Sequence, residues 1–126
     1  MSGLWFPVPG GTFLHPLPST SETHLRVILH VSDGLALIAP VCTLRAHHRP
    51  EIAHCVLNPG DHPFIRHPSF VDFSWTQPVE TALLAQWVAQ GRARHKPGLP
   101  DHVFRFVLEE AKHSRAMPAR FRDMLR

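Results

Sequence analysis

HLRVILHVSDGLALIAPVCT, residues 24–43, carries the clearest structural signal in the chain. Leu25, Val27, Leu29 and Val31 are apolar at alternate positions, the two-residue period of a strand. Ser32, Asp33 and Gly34 then supply a turn, because Asp and Gly suit the backbone conformations that tight turns demand. Residues 35–42 follow as an unbroken apolar run that reads as a buried strand. The stretch predicts a β-hairpin.

Working outward, residues 6–18 hold four prolines and two adjacent glycines with no periodic pattern, which predicts an extended, turn-rich leading segment over residues 1–20. Trp5, Phe6 and Phe13 are its candidates for docking on the body. On the other side, a polar loop through residues 45–50 leads to a third short strand at 52–57, ended by the turn signal Asn58, Pro59, Gly60, Asp61. A fourth strand is expected at 69–75. After Pro78 the period lengthens: Leu83, Leu84, Trp87 and Val88 form one face of a helix that stops near Gly91. Arg92, Arg94, His95 and Lys96 make a basic linker. Asp101 is placed to cap a second helix whose buried stripe is Val103, Phe104, Val107, Leu108 and Ala111. Pro118 suits the first turn of a short terminal helix burying Phe121, Met124 and Leu125. Strands first and helices later indicate an α+β domain over residues 1–126, in which helical residues 79–126 flank a small, strongly bent antiparallel sheet or barrel at 21–78.

A chain of 126 residues with 44% hydrophobic residues fits one ordinary globular core. Its apolar stretches fall well short of the roughly 20 residues needed to cross a bilayer, and no charged start followed by an apolar core marks a secretory signal. A cytoplasmic protein with no membrane partner is expected, with Cys42 and Cys55 as free thiols. The formal charge of +3 is mild, but 11 histidines titrate near neutrality, so the positive potential grows as pH falls toward 6. This permits a polyanionic partner.

The most distinctive polar stretch is NPGDHPFIRHPSFVDF, residues 58–73, which places Asp61, His62, Arg66, His67 and Ser69 within nine residues. Prolines at 59, 63 and 68 deny it a helix and stiffen it. A rigid loop with imidazoles, a guanidinium and a hydroxyl suits a phosphodiester: Arg clamps its oxygens while His gives or takes a proton. The same residues also suit a structural role, with Asp61 capping the turn and the histidines tying the loop to the sheet. Thr43 ends a buried strand and presents a second hydroxyl, whereas Cys42, alternating to the opposite face, is expected in the core. No metal site is expected, since among His47, His48, His54, Cys55, His62 and His67 the only pair spaced by four residues is His62 and His67. A serine or cysteine hydrolase is not indicated, because the chain has no G-x-S-x-G elbow.

The order of these features, with the motif Gly60-Asp-His-Pro-Phe-Ile-Arg-His-Pro-Ser69 and the strand end Pro40-Val-Cys-Thr43, resembles the MazF/PemK-like toxins of type II toxin-antitoxin systems. The likeness extends over residues 20–126 and is greatest to a divergent branch carrying a G-D-H-P-F-x-x-H-x-S motif. It implies an SH3-like barrel, a homodimer, and cleavage of single-stranded RNA without metal or other cofactor, neutralised by a cognate antitoxin. In that family an arginine near the start of one strand works with a hydroxyl at the end of the next. Thr43 matches the hydroxyl; His24 stands where the arginine is expected, and Arg26 lies two residues on. The enzyme reading makes His24, His62 or His67 the acid and base, Thr43 a phosphate-positioning hydroxyl, and Arg26, Arg66 and Ser69 substrate-binding groups. The alternative is a non-catalytic module that uses the same groove for RNA or an acidic protein partner.

Overall fold

The computed structural model describes residues 5–16 and 23–126. Its core is the expected hairpin. Strands β2 (Thr23–Ser32) and β3 (Leu35–Thr43) pair antiparallel with Ser32 opposite Leu35. Asp33 and Gly34 form the two-residue connection with φ of 51° and 75°. Two successive positive φ values are what a type I′ turn requires, and its twist matches that of the strands it joins.

The alternation expected through Val31 breaks once. Register shifts between Ile28 and His30, so that β2 carries an extra residue there. Leu25, Val27 and Leu29 enter one core together with Leu37, Ala39 and Val41. Past the bulge the parity is reversed, and Val31 packs with Ile28, Ala36 and Ile38 on the other side. Both faces of the hairpin are therefore buried, which explains why residues 35–42 are apolar without interruption.

Around the hairpin the described residues form an α+β domain with seven antiparallel strands and three helices. The sheet path runs β4 (Val56–Leu57), β5 (Ser69–Val71), β3, β2, β1 (Thr12–Pro16), β7 (Arg94–Lys96), while β6 (Gln77–Glu80) joins the first half of β3. The path is open: β4 and β7 end it without pairing to each other, so the sheet is not a closed barrel. Helix α1 (Thr81–Ala89) buries Leu84 against one face, with Trp87 and Val88 beside it. Helix α2 (Asp101–His113) covers the other face through Val103, Val107 and Ala111, and α3 (Ala119–Met124) adds Phe121.

Several boundaries differ from the sequence expectation. The leading segment contributes β1, whose Phe13 is fully buried, and the basic linker contributes β7, which pairs with β1. Strands and helices thus interleave rather than divide at residue 78. The third strand shrinks to Val56–Leu57, and the fourth stops at Val71 before a 3₁₀ turn at Phe73–Trp75. Asp101 is the first residue of α2 rather than its cap; Pro100 holds the cap position with no side-chain hydrogen bond. Residues 1–4 and 17–20 of the expected leading segment, and residues 21 and 22 of the expected sheet, lie outside the described residues.

Two substitutions separate the roles of core and turn. Leu37→Ala should destabilise by about 2–5 kcal/mol, because it empties a fully buried position. Gly34→Ala should cost about 1 kcal/mol, since its Cβ meets no atom within 4 Å and only the positive φ opposes it. Urea unfolding of both variants measures the difference, and equal losses would contradict the placement of Leu37.

Candidate functional site

Strand pairing brings distant parts of the polar sequence together at one end of the sheet. Thr43 and Ser69 are direct cross-strand partners of β3 and β5, and the amide of Leu44 donates to the carbonyl of Pro68 at 2.9 Å. His24 enters from β2, where its Nδ1 lies 3.5 Å from the carbonyl oxygen of Val41. The loop between β4 and β5 closes the third side. These segments enclose a cavity of about 630 Å³ lined by His24, Leu25, Val41, Thr43, residues 63–67 and Ser69. Of the candidate residues, His24, Thr43, Arg66, His67 and Ser69 share this cavity.

The loop that supplies Arg66 and His67 is held by hydrogen bonds at several points. The amide of Asn58 donates to Asp61 Oδ2 at 2.7 Å, and the amide of Asp61 returns to the carbonyl of Asn58 at 3.0 Å. Gly60, with φ of 102°, makes that turn possible. Ser69 Oγ donates to the carbonyl of His67 at 2.8 Å, so this buried hydroxyl shapes the loop end as well as lining the cavity.

His62 stands apart from the cavity. Its side chain is 1% exposed and turned to the sheet. The amide of Phe64 donates to Nδ1 at 3.0 Å, which leaves the ring proton on Nε2. Nε2 donates to the carbonyl of Pro97 at 2.7 Å and lies 3.0 Å from Thr12 Oγ1, which itself donates to that carbonyl. Both ring nitrogens are thus committed, and the imidazole ties the loop to β1 and to the chain just beyond β7. Burial lowers its pKa, partly offset by the Pro97 hydrogen bond and reinforced by the nearby Lys96 charge. His62 belongs to the scaffold of the site, a role expected for a neutral imidazole with a fixed tautomer.

Arg26 is also elsewhere. It is 2% exposed and lines a second cavity of about 420 Å³ with His15, Glu80 and Trp87, where His15 and Trp87 stack at 4.6 Å. Desolvation lowers its pKa while the neighbouring Cys42 acts in the opposite direction. Cys42 is itself pushed up to about 11 by burial and by Asp72, and Cys55 to about 12, so both unpaired thiols stay protonated at neutral pH. Among the described residues no cluster of three or more His, Cys, Asp or Glu side chains is placed to hold a metal ion.

Phe64 is 46% exposed, although Ile65 beside it is buried. An aromatic ring left partly in water in the same cavity as His24, Arg66 and His67 offers a face for stacking a planar group. The available signal was an aromatic residue one place from a proline in an otherwise polar loop. No protein-family model matches the chain, and no curated protein matches it in sequence. Among the described residues no helix is long and apolar enough to cross a membrane.

The environment of His62 fixes a pH dependence. Its folded pKa lies below the ordinary 6.5, so protons bind the unfolded chain more readily than the folded one in that range. The His62 contribution to stability is full above about pH 6.5 and is lost as pH falls from there toward the lowered folded value. Hydrogen exchange should show the Phe64 amide losing protection on acidification, and His62→Gln should flatten that response. Protection of Phe64 that is unchanged across this range would contradict the assigned tautomer.

Proposed function

We propose that the chain is a metal-independent endoribonuclease of the MazF/PemK-like toxin type, cutting single-stranded RNA in the His24–Ser69 cavity. The observation that carries this reading is the convergence of His24 from β2, Thr43 from β3, and Arg66 and His67 from the loop before β5 on one cavity. On this reading the curved sheet is an opened SH3-like barrel, the active form is a cytoplasmic homodimer, and an antitoxin keeps it in check.

The chemistry follows from the residue types. His24 accepts the proton of a ribose 2′-hydroxyl, and the resulting oxyanion attacks the adjacent phosphorus. The P–O5′ bond breaks as His67 gives its proton to the departing oxygen, leaving a 2′,3′-cyclic phosphate and a 5′-hydroxyl. Arg66 pairs with the non-bridging oxygens, where negative charge grows in the transition state, and Thr43 donates one further hydrogen bond. Phe64 stacks on a neighbouring base, an interaction available only when the strand is not paired.

A second reading draws on Arg26. Its guanidinium is buried on a different cavity, so Arg66 is the cavity's sole guanidinium among the described residues. A binding module that holds RNA or an acidic partner without cutting would have the same surface.

The experiment is cleavage of a single-stranded RNA by purified protein in excess EDTA. Cleavage with a cyclic phosphate product is expected, with a bell-shaped pH profile because one imidazole must be neutral while the other is charged. His24→Ala and His67→Ala should each slow it by about 10²-fold or more, and Thr43→Ala by less. Phe64→Ala should weaken RNA binding by about tenfold or more, the scale of one lost base stack. Binding without cleavage by the wild type would favour the second reading, and wild-type rates in a folded His24→Ala/His67→Ala variant would refute the first.

A further inference from the structure

Where the loop before β4 meets the C-terminal end of α2, a hydroxyl, an imidazole and a carboxylate stand in a row. Ser114 Oγ lies 2.8 Å from His54 Nε2, and His54 Nδ1 lies 3.5 Å from Glu110 Oε1. An ionised carboxylate only accepts, so the ring proton sits on Nδ1 and Nε2 is left to accept the hydrogen of Ser114. The three side chains line a cavity of about 230 Å³ with Pro50, Glu51, His113 and Arg115, and this cavity shares no residue with the His24–Ser69 cavity. We propose that Ser114, His54 and Glu110 form a second reactive centre, a serine nucleophile with its base and the carboxylate that orients the base, which hydrolyses short-chain carboxylic esters.

Each member of the row is held from outside it. The amide of Ala116 donates to Ser114 Oγ at 3.1 Å, and Arg122 Nη1 donates to the Ser114 carbonyl at 2.9 Å, which fixes the residue that closes α2. A hydroxyl that accepts from Ala116 still has its own proton to give to His54. The His54 ring packs 5.7 Å from the ring of the buried Phe73. The other imidazole of the cavity, His113, is turned to its own helix, where Nδ1 lies 2.9 Å from the Glu109 carbonyl. Such a row is recognised by geometry and not by sequence position, so the lack of a G-x-S-x-G elbow does not exclude it. The 3.5 Å separation of base and carboxylate fits a resting site, because these bonds commonly shorten only when substrate binds.

The chemistry needs only an ester and water. Ser114 Oγ attacks the carbonyl carbon while its proton passes to His54 Nε2; the bond to the leaving oxygen then breaks as His54 returns that proton to it. Water attacks the acyl-serine, gives a proton to His54, and releases the acid as Ser114 recovers its hydrogen. Glu110 acts through His54 as a positioning residue. The small volume admits a short acyl group, and the two carboxylates on the walls, Glu51 and Glu110, favour a neutral ester over an anionic one. This inference stands independently of the function assigned to the other cavity.

The test incubates the full chain with p-nitrophenyl acetate, quenches in acid, and maps the acetyl group by mass spectrometry. Acetyl-Ser114 is expected in the wild type, and because the mapping is made there the decision does not depend on any variant folding. In variants shown to be folded, Ser114→Ala should remove that adduct and His54→Gln should slow its formation by about 10²-fold or more. The wild-type rate should rise with pH as His54 loses its proton. Glu110→Gln should move this profile to lower pH, since the carboxylate favours the protonated imidazole, a shift that losing a merely structural contact would not give. An unmodified Ser114 in the wild type, acetyl on lysines and other histidines alone, an undiminished Ser114 rate in His54→Gln, or an unmoved profile in Glu110→Gln would each overturn the inference.

Discussion

Every part of the molecule that matters for the site is referred to β3, a strand paired along both edges. One edge carries β2 along residues 35–40; the other carries β6 along residues 35–38 and β5 along 41–43. The change of partner divides β3 into two halves with different surroundings. The first half is enclosed by the two cores, and the second projects Thr43 into the cavity beside Ser69. Residues 36–41 of β3 are buried and its end is held by pairing with β5 along residues 41–43, so that end is a fixed point against which loop residues can be positioned. His24 reaches the same place through the antiparallel register that brings the start of β2 to the end of β3.

Histidines of one short loop are given different tasks by their surroundings. His62 is inside, hydrogen-bonded through both nitrogens, and kept neutral by burial. His67, five residues on, lines an open cavity with Arg66. The first makes the second usable: by anchoring the loop to Thr12 and to Pro97 it sets the path of residues 63–67. Rigid support from a neighbouring buried group is what holds catalytic geometry in place, and its loss lowers a rate without removing any reacting atom.

The hairpin was legible because its periodicity and its turn agree, and α1 and α2 because their apolar spacing is long enough to be helical. The strands that escaped notice were each hidden by a residue type that argues against one. Thr12–Pro16 follows a run of Pro and Gly and buries Thr12, Phe13 and Leu14 in succession, so it shows no alternation. Gln77–Glu80 contains Pro78, which edge pairing tolerates. Arg94–Lys96 is wholly basic and exists as a strand because β1 is there to pair with it. At the site, residue types identified Thr43, Arg66, His67 and Ser69, while the separation of His62 and Arg26 from them depends on which way each side chain turns. For Arg26 that direction follows from strand parity. For His62 it follows from long-range partners at Thr12 and Pro97, which local sequence does not specify.

The central claim is that His24 and His67 face one ligand while His62 supports them from within. It is tested most directly by following the imidazole resonances of the full chain by NMR as a non-cleavable 2′-O-methyl single-stranded RNA is added. The account predicts saturable shifts of the His24 and His67 rings at a common affinity, with the His62 ring unmoved and remaining the Nε2–H tautomer. Shifts spread evenly over the eleven histidines, or a response of His62 without His24 and His67, would contradict it.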